Sequence, residues 1–303
     1  MKHRRSEDPW AHLFTRRVNR REWLHLASSA MALLAVAPRA FAEMVPIRSE
    51  KLGILDRFLG EELTYRIGFW LLARCGEARI QLKPSPEKNV YQAGLEGWTV
   101  GWVDWLLGHY RYAYLSDLEV SPDGDRFRPR RFRMIRKMGN REFLRSVVFD
   151  HAGGEIRFSK THANGETQKK TLPMRPGVLY EDYLTLFYNF RHGCYGSPAP
   201  GRTYRIPLPA NEKLTTLRLS VASPEETAAE RRAEREKEGK DYLLQFDVNP
   251  GDVSSRSGSV RAWLSQDFVP VKGTIKNVIF FGDLWGQLIH CRRPSDTAPG
   301  NIE

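Results

Sequence analysis

Cysteine is scarce. The chain has three among 303 residues, Cys75, Cys194 and Cys291. Their number is odd and no Cys-x-x-Cys spacing occurs, so at most one disulfide can form and no cysteine-based metal site is expected. Catalytic signatures are missing too. There is no Gly-x-Ser-x-Gly and no His-Glu-x-x-His, and His109, His151, His162, His192 and His290 are dispersed without ligand-like spacing. Asp123, Asp125 and Asp150 form no calcium-loop pattern. These absences give no catalytic residue, no metal and no cofactor, and lean against an enzyme. Long apolar runs are also lacking. The run from Leu26 to Ala37 is diluted by Ser28 and Ser29 and is shorter than the roughly 20 residues of a membrane-spanning helix.

What that run does fit is an export leader. Asn19-Arg20-Arg21-Glu22-Trp23-Leu24 precedes it, and Ala40-Phe41-Ala42 follows with small residues where a signal peptidase reads. Arg20 and Arg21 with Trp23 and Leu24 resemble the twin-arginine signal, and Arg39 sits where the general secretory route tolerates charge poorly. The expectation is a signal peptide over residues 1–42, cleaved after Ala42. Its implied partners are the twin-arginine export machinery and signal peptidase, and its implied location is the periplasm.

The leader holds eight of the 47 Lys and Arg and three of the 36 Asp and Glu, leaving a mature net charge of about +6. In an envelope compartment such a surface points to anionic lipid headgroups or wall polymers rather than nucleic acid.

Period-two alternation runs through most of the mature chain. Leu63 to Phe69 is one instance, followed by strands over residues 77–82, 110–120, 131–138, 142–150, 155–160 and 166–172. The turn signals Gly139-Asn140, Gly153-Gly154 and Asn164-Gly165 separate them. Further strands follow over residues 203–208, 214–221, 242–248, 258–265 and 271–281. The pattern predicts a mainly β protein, an antiparallel barrel-like or curved sheet or sandwich. Two short packed helices are expected at Thr99–Gly108 and Tyr180–Phe190. Ser223-Pro224-Glu225-Glu226 opens a third with a capping box, and residues 223–240 carry no apolar stripe, so a projecting charged helix is expected there. The domain is assigned to 43–291 and a flexible tail to 292–303.

Two residue sets stand out as binding candidates. Trp98, Trp102, Trp105, Tyr183 and Trp263 would line an apolar pocket if the sheet curls around them. Arg131, Arg133 and Lys137 alternate along one strand face and would form a basic ladder for an anionic partner, while Phe132, Met134 and Met138 share the other face with Arg136 among them.

Three blocks carry a family likeness: Gly60-Glu61-Glu62-Leu63-Thr64-Tyr65, then Asp182-Tyr183-Leu184-Thr185-Leu186-Phe187-Tyr188-Asn189-Phe190-Arg191, then Arg261-Ala262-Trp263-Leu264-Ser265-Gln266-Asp267 leading into Val269-Pro270-Val271. In this order the chain resembles the exported bacterial family called domain of unknown function 3108, over roughly residues 58–288. The resemblance implies a periplasmic, β-rich single domain and supplies no catalytic residue. The leading expectation is a non-enzymatic binder or carrier of an amphipathic, lipid-like envelope component. An envelope hydrolase with an unrecognised site and a scaffolding protein are the alternatives.

Overall fold

Two runs of hairpins meet in the middle of one antiparallel sheet. The computed structural model describes residues 53–69, 72–234, 241–248, 250, 252–253, 255–278 and 282–294. The expected leader and most of the expected tail lie outside them. The first run comprises β1 (Glu62–Phe69), β2 (Leu72–Pro84), β3 (Tyr91–Thr99), β4 (Arg111–Val120), β5 (Phe127–Met138), β6 (Arg141–Asp150), β7 (Glu155–Thr161) and β8 (Thr167–Pro173). The second comprises β9 (Thr203–Ala210), β10 (Lys213–Val221), β11 (Tyr242–Asp247), β12 (Ser259–Leu264), β13 (Pro270–Val278) and β14 (Gly282–Arg292). Between these runs β1 pairs with β14, Glu62 facing Arg292 and Phe69 facing Leu284. The outermost strands are β8 and β9. The protein is thus mainly β, a curved antiparallel sheet with few helices.

Both edges are built to resist further pairing. Strand β9 carries Pro207 and Pro209, which donate no backbone hydrogen bond. Strand β8 is exposed along most of its length and carries Lys169 and Lys170. Another strand proline, Pro129, falls where the β4–β5 register shifts beside Leu118. That bulge lets β5 begin at Phe127, before the 131 start that alternation suggested.

Among the described residues four helices accompany the sheet: α1 (Ile54–Phe58), α2 (Gly101–Leu106), α3 (Tyr183–His192) and α4 (Pro224–Glu234). Helix α3 joins the two runs. Asp182 caps it, accepting from the Leu184 and Thr185 amides at 2.8 Å each, and Thr185 Oγ1 closes the capping box on the Asp182 amide. Gly193 ends it in the left-handed region, with φ of 90°. Leu184 and Tyr188 pack with Leu82, Phe132 and Phe158 of the first run. Leu186 and Phe190 pack with Ile206, Leu219 and Leu244 of the second. Each such side chain contributes about 1.5–3 kcal/mol by burial, so one ten-residue helix glues both arms of the sheet.

Helix α4 begins at the expected capping box, with the Glu226 amide donating to Ser223 Oγ and the Ser223 amide to Glu226 Oε2. It buries none of its residues, as its composition requires. Glu230 bonds Arg261, and Glu234 accepts from Lys272 Nζ at 2.7 Å and Trp263 Nε1 at 3.2 Å, so charge pairing lays the helix against the sheet. The part expected at 235–240 lies outside the described residues.

Candidate functional site

Residues directly opposite in an antiparallel ladder share a face, so register alone sorts the side chains of β2–β7. One inner row reads Leu82, Ala93, Ser116, Phe132, Val147 and Phe158, apolar apart from one hydroxyl. The next reads Ile80, Leu95, Tyr114, Met134, Arg145 and Lys160. The row beyond it reads Ala78, Gly97, Tyr112, Arg136 and Phe143. The inner face therefore grades from the dry core beneath α3 to an aromatic and cationic end. Gly97 is required by this arrangement. A Cβ there would lie 2.1 Å from the Tyr112 ring, which lies against its backbone. Tyr110, Tyr112 and Tyr114 stand in a ladder, with ring centroids 6.4 and 5.9 Å apart. Arg145 and Lys160 both lie over the Phe143 ring, at 5.7 and 5.8 Å.

Across this end reaches Asp252, from the connection between β11 and β12. Its carboxylate accepts from Arg145 Nη1 at 2.7 Å and from Tyr183 Oη at 3.0 Å. Its carbonyl accepts from Tyr114 Oη at 2.7 Å and also bonds Arg136. One residue of the second arm thus ties β4, β5, β6 and α3. Burial pushes the Tyr114 hydroxyl up to about 12, so it stays a donor at neutral pH. Arg136, Arg145 and Lys160 against Asp252 leave the cluster cationic.

Other buried ionisable groups serve the scaffold. Arg191 donates to both oxygens of Glu61, at 2.6 and 2.7 Å, and its Nε donates to the Phe268 carbonyl. The same guanidinium lies between the Phe58 and Phe187 rings. Glu181 accepts from Arg126, Asn189 and Tyr195, and burial raises its pKa. Asn189 in turn brackets the Phe127 backbone, accepting from its amide and donating to its carbonyl. Asp182 is pushed up to about 6 by burial, against the pull of Ser116 Oγ at 2.5 Å and the two capping amides. These acids are perturbed as catalytic acids are, yet each is enclosed and committed to structural partners. All three cysteines are free, and burial pushes the Cys75 and Cys194 thiols up to about 11.

The five aromatic pocket candidates do not converge. Tyr183 lies on the inner side, edge-on to Phe132. Trp263 belongs to the opposite face, in one lateral row with Lys272, Gln287, Arg66, Glu77 and Trp98. There Trp263 is buried with Leu243 and Ala222. Trp102 and Trp105 stand exposed on α2. Arg131, Arg133 and Lys137 do share the outer face of β5, where Arg133 pairs with Asp117 at 3.1 Å. Arg136, Arg145, Tyr112, Tyr114 and Asp252 were not among the sequence candidates. Arg136 alone carried a signal, as a cation among apolar residues of one strand face. An open groove of about 560 Å³ also runs between α4 and the second arm, lined by Val221, Ala222, Thr227, Arg231 and Tyr242.

Among the described residues, no cluster of three His, Cys, Asp or Glu could hold a metal ion, and no helix is long and apolar enough to cross a membrane.

An antiparallel sheet with a helix-filled inner face and a cationic, tyrosine-rich end defines the class of protein. Residues 62–284 match the family described as "Protein of unknown function (DUF3108)", and the chain belongs to that family. No curated protein matches it. Among solved structures it is similar to a beta-barrel-like protein of domain of unknown function DUF1849 from Brucella abortus, with 10% identity and a TM-score of 0.43 over 78% of this chain and 98% of that one. A DUF1089 family protein from Pseudomonas aeruginosa aligns with 10% identity and a TM-score of 0.25, over 77% of this chain and 95% of the other.

Proposed function

We propose that this chain is a non-enzymatic periplasmic protein that binds an anionic amphiphile on the inner face of its sheet. The twin-arginine-type leader around Arg20 and Arg21 and the Ala42 cleavage signal support the location, with the export machinery and signal peptidase as partners in reaching it. The observation that carries the ligand class is the gradient from Phe132 and Phe158 through Tyr114 and Met134 to Arg136 and Arg145. Phe132 and Phe158 are already covered by α3, so it is the half-buried Leu95, Tyr112 and Tyr114 beyond them that match an acyl chain, and a carboxylate or phosphate head matches the guanidiniums. The engagement of Glu181 and Asp182 in capping and core bonding speaks against the hydrolase alternative.

Titration of the mature protein with a fluorescent anionic fatty acid tests this reading. Saturable binding is expected, weakened on the order of tenfold or more by Arg136→Ala or Arg145→Ala, because a charge-assisted hydrogen bond contributes about 1.5–3 kcal/mol. Binding that ignores both substitutions, or none at all, would overturn it.

A further inference from the structure

Helix α2 spends apolar surface on solvent. Five large hydrophobic residues are exposed in the described chain, and three of them lie on this six-residue helix: Trp102 at 52%, Trp105 at 78% and Leu106 at 50%. Positions 102, 105 and 106 fall on one side of a helix, while Val103, 4% exposed, faces the body.

The display is held in place. Asp104 accepts from Thr99 Oγ1 and Arg111 Nη1 at 2.6 Å each and pairs with His109 Nδ1 at 2.6 Å. The Val100 amide donates to the Cys75 carbonyl at 3.0 Å, and the Gly139 amide at the β5–β6 turn donates to the Gly108 carbonyl at 2.7 Å. Gly101, Gly108 and His109 take positive φ at either end of the helix, setting its orientation. A connection needed only to join β3 to β4 would gain solubility from polar residues at 102, 105 and 106. This one fixes two indoles outward.

We propose that α2 is a peripheral docking element for an anionic lipid bilayer surface, an interaction beyond the inner-face ligand proposed above. Indoles partition to the headgroup region rather than to the hydrocarbon centre, and a helix of this length reaches only that depth. The charges beside it fit the anionic sign. Arg74, Arg111, Lys137 and Arg141 are exposed around the helix. Three acids accompany them, but Asp104 is held by Arg111 and His109, Glu77 by Arg74, and Glu142 faces Lys137 in register. Four cations against three acids leave a net charge of about +1, carried by Arg141, which adds about 1 kcal/mol near an anionic surface.

The test is flotation of the mature protein with vesicles of phosphatidylglycerol and phosphatidylethanolamine, and with phosphatidylcholine vesicles in parallel. Preferential recovery with the anionic vesicles is expected, together with quenching of tryptophan emission by brominated lipid. Trp102→Ser with Trp105→Ser should cut vesicle recovery on the order of tenfold, while circular dichroism, thermal stability and fatty-acid titration stay unchanged. Lys137→Ser with Arg141→Ser should erase the preference for anionic lipid. Equal recovery of wild type and the tryptophan double variant would overturn the proposal, as would absence of binding to every vesicle. A dimer seen by sedimentation and lost in that variant would assign α2 to self-association and overturn it equally.

Discussion

At the scale of single residues, the described chain gives its buried charges neighbours before burial can expel them. Arg191 has Glu61 and two aromatic rings, so removing either partner would strand a charge at a cost of about 3–5 kcal/mol. Asp182 accepts three hydrogen bonds, yet burial still lifts it to about 6. The folded protein therefore holds this proton more tightly than the unfolded chain, whose aspartate titrates near 3.8. The resulting stabilisation is complete below about pH 4 and is lost as pH rises through 6. Glu181 shifts in the same direction. Chemical denaturation at pH 4.5 and pH 7 should show Asp182→Asn losing up to about 2 kcal/mol of that difference. An unaltered pH slope in the variant would contradict the assignment.

At the scale of elements, the two arms are fastened by α3 and by the Asp252 connection. Asp252→Ala removes the acceptor for Arg145 and Tyr183 while leaving the backbone carbonyl to Tyr114 and Arg136. Because Arg145 keeps some access to water, a loss of about 1–3 kcal/mol is expected, with faster amide exchange in β11 and β12 than in β2 and β3. Uniform exchange across both arms would show that α3 holds them alone. Most elements were legible, since alternation marks β4, β6, β7 and β10, and capping residues mark α3 and α4. Strand β3 was not, because Gly94, Glu96 and Gly97 interrupt its apolar positions, Gly97 for the sake of a ring on the neighbouring strand. Strand β14 was not marked by alternation either, because Gly282, Trp285 and Gly286 interrupt it. The site was less visible still. Asp252 reads as one more turn residue, and its partners lie 69 to 138 residues away in sequence. The tryptophans lie apart for a simpler reason, since period two sends Trp98 and Trp263 to the face opposite Tyr183.

At the scale of the whole molecule, the first and last strands of the sheet are neighbours at its centre. A chain stopped after Val278 would leave one edge of β1 and one edge of β13 open in the middle of the sheet, so it is expected to be insoluble on expression, whereas a chain stopped after Arg293 keeps the full ladder. Recovery of soluble, β-rich protein from the shorter chain would contradict this. Apart from the β1–β14 seam, every pair of adjacent strands is also adjacent in sequence. Glu62 and Arg292 bond across that seam although they are 230 positions apart in the chain. Circular permutation would remove the distance. Joining the end of β14 to the start of α1 by a short linker, so that residues 53–61 with Glu61 are kept, and opening the chain between β8 and α3, converts the sheet into one continuous meander from β9 through β14 and β1 to β8. The loop-closure entropy saved is about 3 kcal/mol, and lower contact order speeds folding. Such a permutant would separate what the architecture needs from what the order of synthesis imposes on it.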